Sequence, residues 1–352
     1  MTPTFDKIHA RFKLNNIHYD FEELKEVAYS LIKEGMPFEK SMGDFLLDWL
    51  NHDNYIKVKT SGSTGLPKLM KVNKQAMVNS AIATGDYFKM EPGDSALLCL
   101  PTHYIAGKMM LVRAMILGLE LDFVEPNSHP VFDYGKPYDF CAMIPLQVQN
   151  QLNYLNNIKT LIVGGASISK TLESKIQDLN THVFATYGMT ETVTHIAVKA
   201  LNGKQKMKHF NVFPKVKIST DKRNCLVIEA PYLSKEKVFT NDIVTLVSDS
   251  EFDIVGRIDN MINSGGVKLF PERIEAKLEL KIKERFFIAS EKDEKLGQKL
   301  ILLLESKTNT IKPSVFKELD KFEIPKAIYT IPKFVYTVTG KIQRQETLKL
   351  LK

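Results

Sequence analysis

The sequence is short of the features that mark several large classes of protein. It has only three cysteines, Cys99, Cys141 and Cys225, set far apart within apolar runs. None has the spacing of a metal ligand or a disulfide framework, so neither device organises the fold. They read as buried free thiols in a reducing compartment. No apolar stretch approaches the roughly 18 residues of a membrane-spanning helix, and the N-terminus lacks the apolar core of a secretory signal. The expected location is cytoplasmic. The net charge is +7, but lysine is spread along the whole chain. Without a compact basic run interleaved with aromatics, that charge reads as solvated surface and argues against nucleic-acid binding. Internal repeats and low-complexity tracts are absent as well.

What remains is ordinary globular composition, 44% hydrophobic and 25% charged over 352 residues. That length suits about two domains. Residues 1–54 read as two helices: Asp20 can cap Phe21 to Lys33, and Phe45 to Leu50 is a shorter one carrying the single tryptophan, Trp49. From Tyr55 to Ala185 strand and helix signals alternate. Strands are expected at Ser95–Leu100, Leu119–Val124, Phe140–Ile144, Thr160–Val163 and His182–Ala185, with helices at Lys74–Phe88, Ala106–Leu117, after Pro145 and at Ser169–Leu179. This alternation predicts a parallel sheet with helices on its faces, and ligands bound beyond the carboxyl ends of its strands. Beyond about His195 short strands predominate, and beyond Arg257 a second α/β unit begins.

One stretch stands out chemically: Thr60-Ser61-Gly62-Ser63-Thr64-Gly65-Leu66-Pro67-Lys68, after the strand signal Tyr55–Lys59. Backbone amides freed by glycine, four hydroxyls and a lysine suit a polyphosphate; a surface Ser/Gly turn is the plainer alternative. It is not the P-loop of nucleoside triphosphatases, because Pro67 precedes Lys68 and Leu69 follows it. Leu161 to Ala166 ends a strand on Gly164-Gly165, which suits a tight turn or close approach to a flat ligand. Tyr187-Gly188-Met189-Thr190-Glu191 offers a ring for stacking, a hydroxyl for phosphate and a carboxylate for Mg²⁺. Asp242 between apolar runs could accept two ribose hydroxyls. Gly256 to Glu275 joins Arg257, Asp259, the pair Gly265-Gly266 and a Pro271-initiated helix. Near the C-terminus, Gly340-Lys341 could carry a cation into a site.

Taken together these motifs resemble, in order and rough spacing, the adenylate-forming superfamily of acyl- and aryl-CoA ligases, from Thr60 to Arg344. The resemblance implies a large N-terminal domain (1–258) of parallel sheets with helices plus a small β subdomain, and a smaller mobile α+β C-terminal domain (259–352). It implies ATP, Mg²⁺ and coenzyme A as partners of a small carboxylic acid. Thr60, Ser61, Gly62, Ser63, Thr64, Gly65 and Lys68 would hold the β- and γ-phosphates. Gly164, Gly165 and Ala166 would line adenine, with Tyr187 and Gly188 beside it. Thr190 would contact the α-phosphate, Glu191 would bind Mg²⁺, and Asp242 and Arg257 would hold the ribose. Asp259 would be the hinge, Gly265 and Gly266 would border a CoA tunnel, and Lys341 would act during adenylation. A segment that usually precedes the phosphate loop is missing here, so the N-terminal subdomain is expected to be reduced.

Leu100 to Arg113 resembles the acid-binding stretch of the o-succinylbenzoate–CoA ligases of menaquinone biosynthesis. Tyr104 stands where the superfamily often has histidine, followed by Ala106, Gly107 and Lys108. The resemblance implies that Arg113, six residues past Gly107, faces a second carboxylate of the substrate. A buried arginine suits a dicarboxylate and would be costly beside an alkyl chain. The expected activity is therefore ATP-dependent ligation of o-succinylbenzoate to CoA. Another aryl- or acyl-CoA ligase, or a catalytically silent nucleotide-binding module, is the alternative. A homo-oligomer is left open.

Overall fold

The computed structural model describes residues 2–59, 69–336 and 342–351. The chain divides into two compact units. The first comprises Met1–Ser167, Lys175–Lys217 and Glu229–Val238; the second comprises Ile168–Ser174, Ile218–Ile228 and Phe239–Lys352. Asp259, the expected boundary, falls inside the second unit.

In the first unit, strands β1 (Lys13–Leu14) and β2 (Ile17–His18) precede helices α1 (Phe21–Glu34) and α2 (Pro37–Leu50). The α1 start is a capping box: Asp20 accepts from the Glu23 amide at 2.9 Å, and Glu23 accepts from the Asp20 amide at 2.8 Å. Helix α2 begins eight residues before the expected Phe45. Pro37 presets the first helical φ, and Glu39 accepts from the Met36 amide at 2.7 Å. Gly43, a poor helix former, lets the two helices close up, since a Cβ there would lie 2.6 Å from the Ala28 carbonyl.

Next come β3 (Tyr55–Lys59), β4 (Leu69–Asn73), α3 (Lys74–Phe88), β5 (Ser95–Leu98), α4 (Ile105–Leu117) and β6 (Glu120–Phe123). They are followed by β7 (Tyr138–Met143), α5 (Pro145–Gln151) and β8 (Ile158–Val163). The main sheet of this unit runs β2-β1-β6-β5-β7-β8-β9-β10-β11, with β9 at His182–Gly188, β10 at His195–Ala200 and β11 at Phe210–Val212. The β1–β6, β6–β5, β5–β7, β7–β8 and β8–β9 pairs are parallel, whereas β10 turns back antiparallel on β9. Strands β7 and β8 are nearly continuous apolar runs, as strands covered on both faces must be. Helix α4 is buried from Gly107 to Ile116 and closes on Gly118 in the left-handed region. It passes through the core of Phe12, Phe45, Trp49, Met77, Met115 and their neighbours.

The second unit takes helix α6 (Lys170–Lys175), much shorter than the expected Ser169–Leu179. Just beyond it in the chain, the Ile176 carbonyl accepts instead from the Asn202 side chain at 3.0 Å. Strands β12 (Lys217–Thr220), β13 (Cys225–Glu229), β14 (Val238–Leu246) and β15 (Glu251–Arg257) lie side by side in that order. A further sheet is formed by β16 (Ile262–Ser264), β17 (Val267–Leu269), β18 (Phe286–Asp293), β19 (Gly297–Glu305) and β20 (Ala327–Ile331). Helices α7 (Pro271–Leu278) and α8 (Arg344–Leu348) complete the unit. Its cores are built on Ile274, Leu278, Ile288 and Leu302, and on Phe287, Ile301, Leu303 and Phe334.

Candidate active site

Strands β3 and β4 form an antiparallel hairpin, registered from Tyr55↔Asn73 to Lys59↔Leu69. They bracket Thr60 to Lys68, so Thr60, Ser61, Gly62, Ser63, Thr64, Gly65 and Lys68 lie outside the described residues. The foot of the hairpin is tied by Lys74, fully buried, which donates to the Asn51 carbonyl at 3.0 Å and to Asn51 Oδ1 at 2.8 Å. Burial lowers its pKa to about 8.

Two glycine-bearing strand ends meet in the main sheet of this unit. Because β8 and β9 are parallel with Val163 opposite Ala185, Gly164 comes beside Thr186. A Cβ on Gly164 would lie 2.5 Å from the Thr186 hydroxyl, which donates to the Val163 carbonyl at 3.2 Å. Gly165 adopts φ +82°, the left-handed region that glycine enters freely. Tyr187 is buried, its ring edge-on to Phe210 at 6.3 Å. Gly188 is where β9 turns: a Cβ would lie 2.2 Å from the Thr194 carbonyl. The turn itself is held by the Thr192 hydroxyl, which accepts from the Met189 amide at 3.0 Å. Val193 sits at φ +65°, ψ −58°, a strained conformation for a β-branched residue. Thr190 and Glu191 are displayed on this braced turn, and Glu191 is exposed.

On the acid side, Gly107 allows α4 to start against the loop before it. A Cβ there would lie 2.4 Å from the Pro101 carbonyl oxygen. Tyr104 is the N-cap residue, its ring 4.1 Å from that of His103. Gln147 fixes the approach to this loop, donating to the Cys99 carbonyl at 2.8 Å. Ala106 is exposed. Lys108 is buried with its ammonium 4.5 Å from the centre of the Phe45 ring. Burial lowers its pKa to about 8, with Asp48 and Asp44 pulling the other way. Lys108 and Arg113 are five residues apart, about 140° round the helix, so the two cations do not share a face.

Arg113 is 1% exposed. Its Nη1 donates to the Met110 sulfur at 3.7 Å, while among the described residues Nε and Nη2 have no partner. Those two nitrogens form one edge of the guanidinium, the edge that grips a carboxylate with two parallel hydrogen bonds. Burial lowers the Arg113 pKa to about 9, so at neutral pH it is still a cation. His195 on β10 contacts Thr84 on α3 through Nε2 (3.3 Å) and Thr194 through Nδ1 (3.4 Å). The sequence carried no local sign of this histidine's place. Its partner Thr84 is 111 positions away.

In the second unit Asp242 and Arg257 are opposite each other on β14 and β15. Arg257 donates to Asp242 at 3.0 Å and to Asp259 at 2.9 Å, and Asn241 also donates to Asp259, at 3.2 Å. The expected ribose pair and the expected hinge residue are thus one ionic cluster. Gly265 and Gly266, at φ +58° and +84°, make the two-residue turn of the β16–β17 hairpin. Lys341 lies outside the described residues. The chain on either side of it is pinned by a Tyr336–Ile342 bridge and by Arg344, which donates to both oxygens of Glu275 at 2.7 Å.

A family model described as AMP-binding enzyme matches residues 49–218. A crystal structure of an acyl-CoA synthetase (AMP-forming)/AMP-acid ligase II-like protein from Dyadobacter fermentans is 35% identical, with TM-score 0.62; the match covers 93% of this chain and 98% of that one. The chain belongs to the AMP-binding enzyme family. Its fold is also that of the Bacillus subtilis o-succinylbenzoate coenzyme A synthetase solved with ATP and magnesium: TM-score 0.71 at 18% identity, over 83% of this chain and 69% of that one. Among curated proteins, the 2-succinylbenzoate–CoA ligase of Haemophilus influenzae is 26% identical over 307 residues. That match takes in 78% of this chain, which spans 66% of the length of that ligase. In this family setting the convergence of Gly164, Thr186 and the Thr190–Glu191 turn in one unit forms a candidate nucleotide side. The Tyr104–Arg113 stretch is the expected acid side. No described helix is long and apolar enough to cross a membrane.

Proposed function

We propose that this AMP-binding enzyme ligates a dicarboxylic acid, o-succinylbenzoate, to coenzyme A at the expense of ATP. The family and the ligases it resembles support the reaction class. The observation that carries the acid is Arg113, a fully buried guanidinium with its Nε/Nη2 edge without a partner. A desolvated cation of this kind is very costly unless an anion joins it. One carboxylate of the acid reacts; the other completes Arg113.

In the first half-reaction the reacting carboxylate attacks the α-phosphorus of ATP, forming an acyl-adenylate and releasing pyrophosphate. Thr190 hydrogen-bonds the α-phosphate, with Lys68 and Lys341 supplying cations to the developing charge. Glu191 fits magnesium, which takes one or two carboxylates and keeps its remaining places for water and phosphate oxygens. When bound, that ion neutralises phosphate charge. Gly164, Gly165 and Ala166 border the adenine, Tyr187 covers it, and Asp242 and Arg257 take the ribose. In the second half-reaction the CoA thiolate attacks the activated carbonyl and AMP leaves, with Gly265 and Gly266 lining the thiol's approach and Asp259 as the hinge between the two arrangements. Splitting the transfer through an acyl-adenylate replaces one hard step by two easier ones. Three buried free thiols agree with a reducing, cytoplasmic setting.

The test is thioester formation from ATP and CoA with o-succinylbenzoate beside a monocarboxylate analogue lacking the second acid group. A preference of at least tenfold in kcat/KM for the dicarboxylate is expected. Equal use of the two overturns the dicarboxylate assignment and leaves a general acyl-CoA ligase.

A further inference from the structure

A run of hydrogen bonds in the second unit reaches the expected ribose pair from a turn that no motif marks. Asp221 to Asn224 join β12 to β13, with Asn224 in the left-handed region at φ +60°. Asp221 closes this turn. Its Oδ1 accepts from the Arg223 amide at 2.7 Å and from the Cys225 amide at 3.0 Å. Its Oδ2 accepts from Arg223 Nε at 2.8 Å, which fixes the guanidinium. From there Arg223 reaches β14. It donates through Nη2 to the Thr240 carbonyl and through Nη1 to Asn241 Oδ1, both at 3.1 Å. Asn241 in turn donates from Nδ2 to Asp259 at 3.2 Å. With a cation at one end and a carboxylate at the other, the Asn241 amide has one orientation. Asp259 also accepts from Arg257 at 2.9 Å, and Arg257 donates to Asp242 at 3.0 Å. Arg223, Asn241, Asp259, Arg257 and Asp242 are thus linked in that order, from the turn to the residue expected to hold the ribose.

We propose that Arg223 is a positioning residue for the nucleotide: through Asn241 and Asp259 it orients Arg257, and so sets the Asp242 carboxylate for the ribose hydroxyls. The inference rests on the ribose assignment above. Arg257 is shared between two carboxylates, Asp242 and Asp259. Asp259 is exposed, so its pull on Arg257 has a fixed direction only if Asp259 is itself held. Asn241 holds it, and Arg223 orients Asn241. Neither Arg223 nor Asn241 need touch the nucleotide. The same bonds pass through the expected hinge residue, so ribose site and hinge are fastened together.

The test is calorimetric binding of ATP and of 2′-deoxyATP, each with Mg²⁺, to the full chain. It needs no acid and so does not depend on the dicarboxylate reading. Wild type should prefer ATP by about tenfold or more, because a carboxylate that accepts two ribose hydroxyls loses one of them. Asn241→Asp is the sharpest variant. It keeps the shape and an acceptor for Arg223, but sets a second carboxylate against Asp259 in place of a donor. Arg223→Met removes the far end of the run. In both variants Kd for ATP should rise about three- to tenfold. Kd for 2′-deoxyATP should rise less, so that the preference falls by about threefold or more. A merely structural role would lower Tm and weaken both nucleotides equally. Equal losses, or a preference kept in full in either variant, overturn this inference alone. If one variant does not fold, the other decides. A wild type that binds both nucleotides equally well overturns the ribose assignment, and this inference with it.

Discussion

Two arginines, one in each unit, live in opposite surroundings: Arg113 is fully buried, whereas Arg344 is half-buried. Arg344 donates to both Glu275 oxygens at 2.7 Å and to the Ile288 carbonyl at 3.2 Å. Burial works against its charge, but Glu275 outweighs burial, and its pKa rises above the ordinary value. Arg113 has only a sulfur at 3.7 Å, and burial alone lowers its pKa to about 9. A guanidinium with all its partners inside the fold is structural. One that the fold buries and then leaves incomplete is stable only in anticipation of a ligand, because a desolvated charge without a partner costs several kcal/mol. The sequence shows an arginine in both places and cannot distinguish them.

The largest expected effect breaks this comparison on the Arg113 side. Arg113→Met keeps apolar volume and removes the charge. Loss of a desolvated ion pair with the substrate is on the order of 3–5 kcal/mol, or roughly two to four decades in kcat/KM for o-succinylbenzoate. KM for ATP should hardly change. Stability at pH 7 should hold or rise, since the folded protein no longer contains an unpaired cation. Arg113→Lys should recover only part of the activity, because an ammonium lacks the two-pronged edge. A loss below about tenfold, roughly 1.4 kcal/mol, places the second carboxylate elsewhere.

Arg344 should behave in the reverse sense. Arg344→Ala leaves Glu275 as a half-buried carboxylate without its counter-ion. Because the pair is partly open, at 26% and 19% side-chain exposure, the expected cost is about 2–3 kcal/mol of unfolding free energy. Denaturant unfolding monitored on this unit reads it. Preference among acids should not move. A change in acid preference with unaltered stability would show that the division into a structural and a ligand-binding arginine is wrong.

Much of the framework was legible from local patterns. The βα alternation gave the parallel strands, and the Asp20 cap is read directly from residue type. The doubled glycines at Gly164-Gly165 and Gly265-Gly266 marked places where the backbone needs freedom, and three of those four do take positive φ. What escaped depends on neighbours far apart in the chain. Helix α2 starts earlier than expected, and the closeness that Gly43 allows is to the Ala28 carbonyl on another helix. Cys99 and Cys141, distant in sequence, bring their sulfurs to 4.0 Å because β5 and β7 are adjacent. Lys108, taken with Arg113 from the resemblance of the Leu100–Arg113 stretch, has its ammonium over the Phe45 ring. His195 had no signal of its own, since its partner Thr84 is 111 positions away.

Lys108 supplies the smallest expected effect and sharpens the comparison, since it is a buried cation that neither a carboxylate nor an expected second anion completes. An aromatic face 4.5 Å away is its chief compensation. Its pKa is about 8 in the folded protein against 10.5 for an ordinary lysine. The native state therefore holds fewer protons than the unfolded chain between about pH 8 and 10.5, and stability rises with pH across that window. Below pH 8 the full penalty for burying the charge is present; above 10.5 it is gone. Lys108→Met removes both the penalty and the cation–π contact, for a net gain of roughly 1–2 kcal/mol at pH 7. The gain should shrink toward zero by about pH 10.5, read as the difference between wild-type and variant denaturation curves at each pH. If instead the variant is less stable at pH 7, or the difference does not change with pH, then Lys108 is a paired cation like Arg344. If acid preference falls in the variant while stability rises, Lys108 joins Arg113 as a charge kept for a ligand.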